Sequence, residues 1–309
     1  MTATMPAATT AARPEFRAAG TDLSERRRSG VAQGEVIDLV ATPESSAIHW
    51  AADGGVRIGA ATTVAAIAAD ARLSAAYAGL GAAAAGLGTP QIRRLATLGG
   101  NLAQRSRCWY YRNPHIPCFK KGGSMCPARA GNHLYGVVFD LGPCVAPHPS
   151  TLAAALLAYE ARINTNHRVG IGVESLLGDG ADGTADHALG EGEIITSVEL
   201  SPPQQGERAL YKRATGRAQA EWPLVEVVAR VVITGGAIAR LRLAAGGVAP
   251  VPIRLRHAEA AADGAPANAR TIADCAAAAT VNANPLPLTG YKLALLRGLV
   301  QDALERLLA

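Results

Sequence analysis

The chain predicts an α+β fold in more than one domain, and three observations carry that expectation. Short apolar runs bounded by Gly, Pro or Asp alternate with alanine-rich stretches of helical character. Pro202-Pro203 followed by Gln204-Gln205-Gly206 interrupts the pattern like a linker. Beyond it, a hairpin-like pair of apolar runs leads into a helical stripe. A length of 309 residues suits two or three domains of roughly 100–200 residues each. The expected organisation is a disordered N-terminus over 1–15, a first domain over 16–203 and a second over 206–309.

In chain order, the first marked segment is Ala18-Ala19-Gly20-Thr21-Asp22-Leu23. Such small residues let backbone N–H groups approach an anion, although an ordinary surface turn has the same make-up. Val36 to Val40 and Val56 to Ala61 read as strands. Thr62 and Thr63 then open an alanine-rich stretch to about Gly86, read as one or two helices with an N-cap. Thr97-Leu98-Gly99-Gly100-Asn101-Leu102 is a turn expected to offer unhindered amides, a hydroxyl and a carboxamide to a phosphate or ribityl chain. It is neither a Walker motif nor a Rossmann fingerprint.

Residues 108–144 hold four of the five cysteines and six of the thirteen aromatic residues. After them Ser150 or Thr151 should cap a helix with Leu152, Leu156 and Tyr159 on its apolar face. Short strands are expected from Arg162 to about Leu200. Val227 to Ile233, Gly235-Gly236 and Ile238 to Leu243 read as a hairpin. Leu293, Leu296, Val300, Leu304 and Leu307 form the stripe of a C-terminal helix capped near Thr289.

Composition excludes several classes. Hydrophobic residues make up 49%, much of it alanine, and no apolar run reaches the roughly 18 residues of a membrane span. The first residues lack a basic then apolar leader, and Arg26-Arg27-Arg28 runs into polar sequence, which argues against export signals. A cytoplasmic protein is expected, with co-export to the periplasm alongside a partner left open. The net charge of +5 is scattered along the chain, so no nucleic-acid partner is expected, whereas an acidic partner subunit fits.

The cysteine spacing is Cys108-x9-Cys118-x7-Cys126-x17-Cys144. Disulfides are disfavoured without a sign of an oxidising compartment. Structural zinc usually includes a knuckle with two to four residues between ligands, and none exists here. A [4Fe–4S] cluster takes four thiolates and tolerates wider spacing. At this level cluster, zinc and inert thiols all stay open. Cys275 reads as a small core residue, and His115, His133 and His148 as ordinary turn or surface histidines.

Taken together, Ala-Ala-Gly-Thr-Asp-Leu, Arg57-Ile58-Gly59-Ala60-Ala61-Thr62-Thr63, Thr-Leu-Gly-Gly-Asn-Leu and the final Tyr291-Lys292 helix resemble the FAD-binding medium subunit of molybdenum hydroxylases. That family includes xanthine dehydrogenase and aldehyde oxidoreductases. The insert, with Arg107-Cys108-Trp109-Tyr110-Tyr111-Arg112, Cys118, Cys126 and Cys144-x3-His148-Pro149-Ser150, resembles a subgroup. It is typified by the periplasmic aldehyde oxidoreductase flavoprotein subunit and the 4-hydroxybenzoyl-CoA reductase β subunit, which carry an extra [4Fe–4S] cluster.

The resemblance implies a two-part FAD-binding domain of the vanillyl-alcohol-oxidase (PCMH) type, with an insertion over 104–147, and then a small α+β domain. It implies FAD contacts from Phe16, Arg17, Ala18, Ala19, Gly20, Thr21, Asp22 and Leu23, and from Thr97, Leu98, Gly99, Gly100 and Asn101. Leu87, Thr151, Ile195 and Lys212 are implied near the flavin. Cys108, Cys118, Cys126 and Cys144 are implied cluster ligands. Ala19-Gly20-Thr21 replaces the family's Gly-Gly-Thr, and Thr151 replaces an Asp that hydrogen-bonds FAD in relatives. The implied function is electron relay in a molybdenum-containing oxidoreductase. Its partners would be a large molybdopterin subunit, a small subunit with two [2Fe–2S] clusters and an external electron acceptor. Rival readings are a zinc-stabilised scaffold and a self-sufficient flavoprotein oxidase.

Overall fold

The computed structural model describes residues 14–217 and 220–309. Most of the N-terminal stretch 1–15 that the sequence marks as disordered therefore lies outside the described residues. Glu15 does not share that character: it opens strand β1 (Glu15–Arg17), which pairs in parallel with β2 (Val36–Asp38).

A five-stranded sheet follows, built from β3 (Ile48–Trp50), β4 (Val56–Gly59), β5 (Arg162–Thr165), β6 (Ile171–Gly172) and β7 (Ile195–Leu200). Its order is β3-β4-β7-β5-β6 with antiparallel neighbours throughout. The alanine-rich stretch forms three short helices, Val64–Ala69, Ala71–Ala76 and Ala78–Gly86, where one or two were expected. The break comes from a second N-cap: Thr63 Oγ1 accepts from the Ala66 N–H, and Asp70 Oδ1 accepts from the Leu73 N–H to start the helix Ala71–Ala76. Helix Thr151–Ala158 is capped by Ser150 and buried on all sides, so it is a core rod and not the one-sided helix expected.

The second sheet has the order β11-β10-β9-β8, with β8 (Arg208–Ala214), β9 (Val225–Thr234), β10 (Ala237–Gly246) and β11 (Ile253–Arg254). The hairpin turn between β9 and β10 uses Gly235 at φ 59° and Gly236 at φ 80°. Both left-handed values are those of a two-residue turn that glycine adopts without strain. Helix Tyr291–Leu308 buries Leu296, Val300, Leu304 and Leu307, and its N-cap is Gly290, one residue beyond the expected Thr289.

This sheet is covered on both faces. Val227, Ala229 and Val231 of β9 pack with Leu296, Val300 and Leu304 of the last helix. Val228, on the opposite face, joins Leu80, Leu152 and Leu156 in the core of the first half. Alternation along one strand thus feeds two cores. The polar residues on the same face as Val228 are paired: Arg230 lies 2.8 Å from Glu207 and donates to the Ala158 carbonyl at 2.7 Å.

The segment 104–147 has little regular structure beyond Trp109–Arg112, a 3-10 turn at Phe119–Lys121, and Pro127–Ala130. Specific polar contacts hold it. Arg129 pairs with Asp140 at 2.6 Å, and Tyr110 Oη accepts from the Asn132 N–H at 2.7 Å. The almost fully buried Lys292 donates to the carbonyls of Tyr135 at 3.1 Å and Gly247 at 2.8 Å, pinning the segment to the last helix. No helix among the described residues is long and apolar enough to cross a membrane.

Candidate functional site

A cleft of about 1460 Å³ runs between the β1-β2 segment and the five-stranded sheet. That exceeds the roughly 300–1,000 Å³ of common small-molecule pockets and suits an extended ligand. Phe16, Ala18 and Ala19 line one side, Thr97, Gly99 and Gly100 the floor, and Ile195 the far wall. Ala60 and Ala61 at the end of β4 add further small surface. The sequence-predicted residues that line this cleft are therefore drawn from three separate stretches.

Helix Leu98–Leu102 does not present free amides as expected. The N–H of Leu98 goes to the Thr62 carbonyl, that of Gly99 to Ala60, that of Gly100 to Thr97 Oγ1, and that of Asn101 to the Thr97 carbonyl. The turn is self-satisfied because it docks on the end of β4, and its glycines serve close approach. A Cβ on Gly99 would lie 3.0 Å from the Ala60 Cβ. Leu98 is fully buried, and Asn101 turns inward to accept from Ser150 Oγ at 2.7 Å.

Other predicted contacts lie off the cleft. Arg17 pairs with Asp38 at the surface. Gly20, at φ 72°, turns the chain, its carbonyl accepts from the Ser24 N–H, and Leu23 is buried. Thr21 sits in the same turn. Asp22 is an ion-pair hub: its carboxylate receives Arg112 at 2.7 Å, Arg107 at 2.9 Å, Arg26 at 3.0 Å and the Arg105 N–H at 3.1 Å. Burial alone would raise its pKa, but the guanidiniums of Arg107, Arg112 and Arg26 together hold it below the usual carboxylate range.

Leu87, Thr151 and Lys212 also lie elsewhere. Leu87 belongs to the first core. Thr151 is buried and hydrogen-bonds with Tyr211 and Glu226. Glu226 is fully buried, accepts from Tyr211 Oη at 2.7 Å, and is pushed up to about 7 by that burial. Lys212 points to the last helix and pairs with Asp302 at 2.7 Å. No motif marks 30–46 or 189–194, yet both supply much of the cleft wall. Their contribution depends on tertiary placement, with only glycines as a sequence sign.

The four cysteines converge. Cys108, Cys118, Cys126 and Cys144 line one small apolar cavity together with Tyr110 and Phe119. Backbone N–H groups aim at the sulfurs: those of Tyr110 and Tyr111 at Cys108, of Ala128, Arg129 and Val145 at Cys126, and of Ala146 at Cys144. A hydrogen bond between Cys126 and Cys144 lowers the pKa of the Cys126 thiol and raises that of Cys144. Among the described residues, no three His, Cys, Asp or Glu side chains are placed to hold a single metal ion. Cys275 is buried in the second core, as expected. His133 and His148 are buried, contrary to the surface reading: His133 Nε2 accepts from the Leu288 N–H, and His148 Nδ1 accepts from the Ser150 N–H.

Comparison with known proteins places these features in a family. Residues 6–203 match the FAD binding domain in molybdopterin dehydrogenase, and residues 209–307 match the CO dehydrogenase flavoprotein C-terminal domain. The aldehyde oxidoreductase FAD-binding subunit PaoB of Escherichia coli (strain K12) is 35% identical over 214 residues, covering 67% of this chain and 66% of that protein. The match thus spans just under two thirds of that relative's length. The xanthine dehydrogenase FAD-binding subunit of Escherichia coli O157:H7 is 25% identical over 238 residues, covering 77% and 67%. Among solved structures, carbon monoxide dehydrogenase from Hydrogenophaga pseudoflava superposes with a TM-score of 0.74 at 21% identity, covering 94% of this chain and 88% of that one. Quinoline 2-oxidoreductase from Pseudomonas putida 86 gives 0.73 at 17%, covering 96% and 89%. At those identities the two structures speak to the fold alone, which is the same α+β pairing of a FAD-binding and a C-terminal domain. With the matched domain spanning residues 6–203, well over half of the chain, this chain belongs to the family of FAD-binding domains of molybdopterin dehydrogenases.

Proposed function

We propose that this chain is the electron-relay flavoprotein subunit of a molybdenum-containing oxidoreductase of the aldehyde or xanthine type, and that it carries a [4Fe–4S] cluster beside FAD. The single observation that carries the reading is the placement of the cleft and the cysteine cavity side by side: Tyr111 and Lys120 line both. FAD exchanges two electrons or one, and an iron–sulfur cluster exchanges one, so neighbouring sites for them make a relay.

In the cleft, Phe16, Ala18 and Ala19 with Gly99, Gly100 and Ile195 would hold the flavin nucleotide against surfaces without bulky side chains. Arg105 and Lys121 line the same cleft and supply positive charge for its phosphates. Lys121 Nζ donates to the Tyr110 carbonyl at 3.0 Å and also to the Asn113 carbonyl, which positions its ammonium at the cleft. Leu87, Thr151 and Lys212 are placed in packing and ion-pair roles that need no cofactor.

Cys108, Cys118, Cys126 and Cys144 would be the cluster ligands. One observation supports thiolate ligation there: backbone amides aimed at the Cys108 and Cys126 sulfurs stabilise thiolates and tune such clusters. A large molybdopterin subunit and a small [2Fe–2S] subunit would then complete the assembly and hold the organic substrate.

The test is anaerobic co-purification with iron, zinc and flavin analysis, on the wild type and Cys118→Ser. The reading requires FAD, about four irons per chain, and loss of the cluster signal in the variant. Colourless protein with stoichiometric zinc would refute the cluster, and full turnover of an organic substrate by the isolated chain would refute the subunit role.

A further inference from the structure

Lys120 and Asp186 form a buried ion pair at the partition between the two cavities. Lys120 Nζ lies 3.0 Å from Asp186 Oδ1, and the side chains are 7% and 6% exposed. Lys120 also donates to the Ala185 carbonyl, and Arg105 stands 3.8 Å from Asp186. The pair is oriented. Lys120 lines the cysteine cavity as well as the cleft, whereas Asp186 lines the cleft alone. His148 and His187 border this group, and burial keeps both neutral near pH 7, holding His148 at about 4 and His187 at about 3. Lys120, Arg105 and Asp186 are therefore fixed charges at the partition, and the carboxylate of Asp182 also lies within electrostatic reach of Lys120.

A buried ion pair gives little net stability, because desolvation offsets the attraction, so its presence calls for another consequence. In a low-dielectric interior, a cation near a site that gains negative charge on reduction stabilises the reduced form, and a carboxylate opposes it. We propose that the Lys120–Asp186 pair is an oriented charge pair that raises the reduction potential of the cysteine-held site relative to the flavin, biasing the shared electron toward the cluster. This rests on the cluster reading above. The equilibrium concerned is one electron exchanged between flavin and cluster. One is oxidised as the other is reduced, no heavy-atom bond changes, and any flavin proton exchanges with the open cleft. Lys120 and Asp186 are positioning residues here, acting through charge.

The experiment is an anaerobic redox titration of the assembled complex followed by electron paramagnetic resonance, with iron and flavin counted in the same samples. Lys120→Gln should lower the cluster midpoint potential, Asp186→Asn should raise it, and Lys120→Arg should stay close to the wild type. A tenfold change in the flavin–cluster equilibrium corresponds to about 59 mV for one electron. Opposite shifts from the two partners are not expected of a merely structural pair. Unchanged potentials, or shifts of one sign in both, overturn the proposal. If Lys120→Gln loses its cluster, Asp186→Asn and Lys120→Arg still decide the sign. A wild-type complex with flavin but no iron removes the cluster reading itself, and that result is in hand before any variant is made.

Discussion

Arg112 Nη2 donates to Asp22 Oδ1 at 2.7 Å across 90 residues of sequence, and the same guanidinium reaches Glu25 and the carbonyls of Ser106 and Arg105. One side chain thus ties the helix that follows Cys108 to the segment that walls the cleft.

Replacing Arg112 with Met should destabilise the protein by about 3 kcal/mol, the usual cost of breaking a mostly buried pair. Thermal unfolding measures it. The folded pKa of Asp22 lies below its unfolded value, so the hub's contribution is complete above the unfolded value near 3.9 and is lost as pH falls through the lower folded value. The stability gap between the wild type and Asp22→Asn should therefore close in acid. A gap that stays constant down to pH 2 would show that Asp22 is not the titrating hub.

Glu226 gives the opposite slope. Its folded pKa is raised to about 7 by burial, so between the unfolded value near 4.3 and about 7 the folded state binds the extra proton. Stability should then fall as pH rises across that window, by up to about 1.4 kcal/mol per pH unit. Glu226→Gln keeps the volume and removes the ionisation, so its unfolding free energy should flatten between pH 5 and 7. Denaturant titrations at several pH values decide the point.

Gly99→Ala should cost about 1–3 kcal/mol through overpacking and should lower flavin content, because the new methyl meets the Ala60 Cβ at 3.0 Å and the Ala60 carbonyl at 3.3 Å. Adding Ala60→Gly should recover part of both. If the double variant is no better than the single one, the close approach is not the cause.

Lys212→Met should retain its FAD. Its ammonium is engaged with Asp302 in a half-exposed pair, a type worth about 1 kcal/mol or less. Absorbance of the bound flavin against protein concentration checks this directly.

Local chemistry explains which parts were legible from sequence. The Gly235-Gly236 turn, the Ser150 cap and the stripe of the last helix follow from neighbours a few residues apart. The convergence of four cysteines was also visible, since spacing put them in one segment. Asp22 read as part of a turn because three of its four arginine partners, Arg105, Arg107 and Arg112, are more than 80 residues away. Lys212 and Thr151 read as cofactor contacts because a motif gives the position of a side chain in sequence and not the direction it takes. Lys212 sits on a strand with two covered faces, where one step in register decides between the first core and the last helix.

The sheet covered on both faces also bears on how the molecule comes apart. Val228 and Ala244 of the second half are fully buried in the core of the first, and Tyr77 of the first donates to the Ser201 carbonyl beside the linker at 2.9 Å. A protease that cuts at 204–206 would nick the chain without separating it, and the halves should migrate together until denaturant is added. Expressed alone, either half would expose a raw apolar face to solvent. Shuffling domains between relatives at that linker should therefore yield insoluble chimeras unless the residues facing Val228 and Ala244 travel with them.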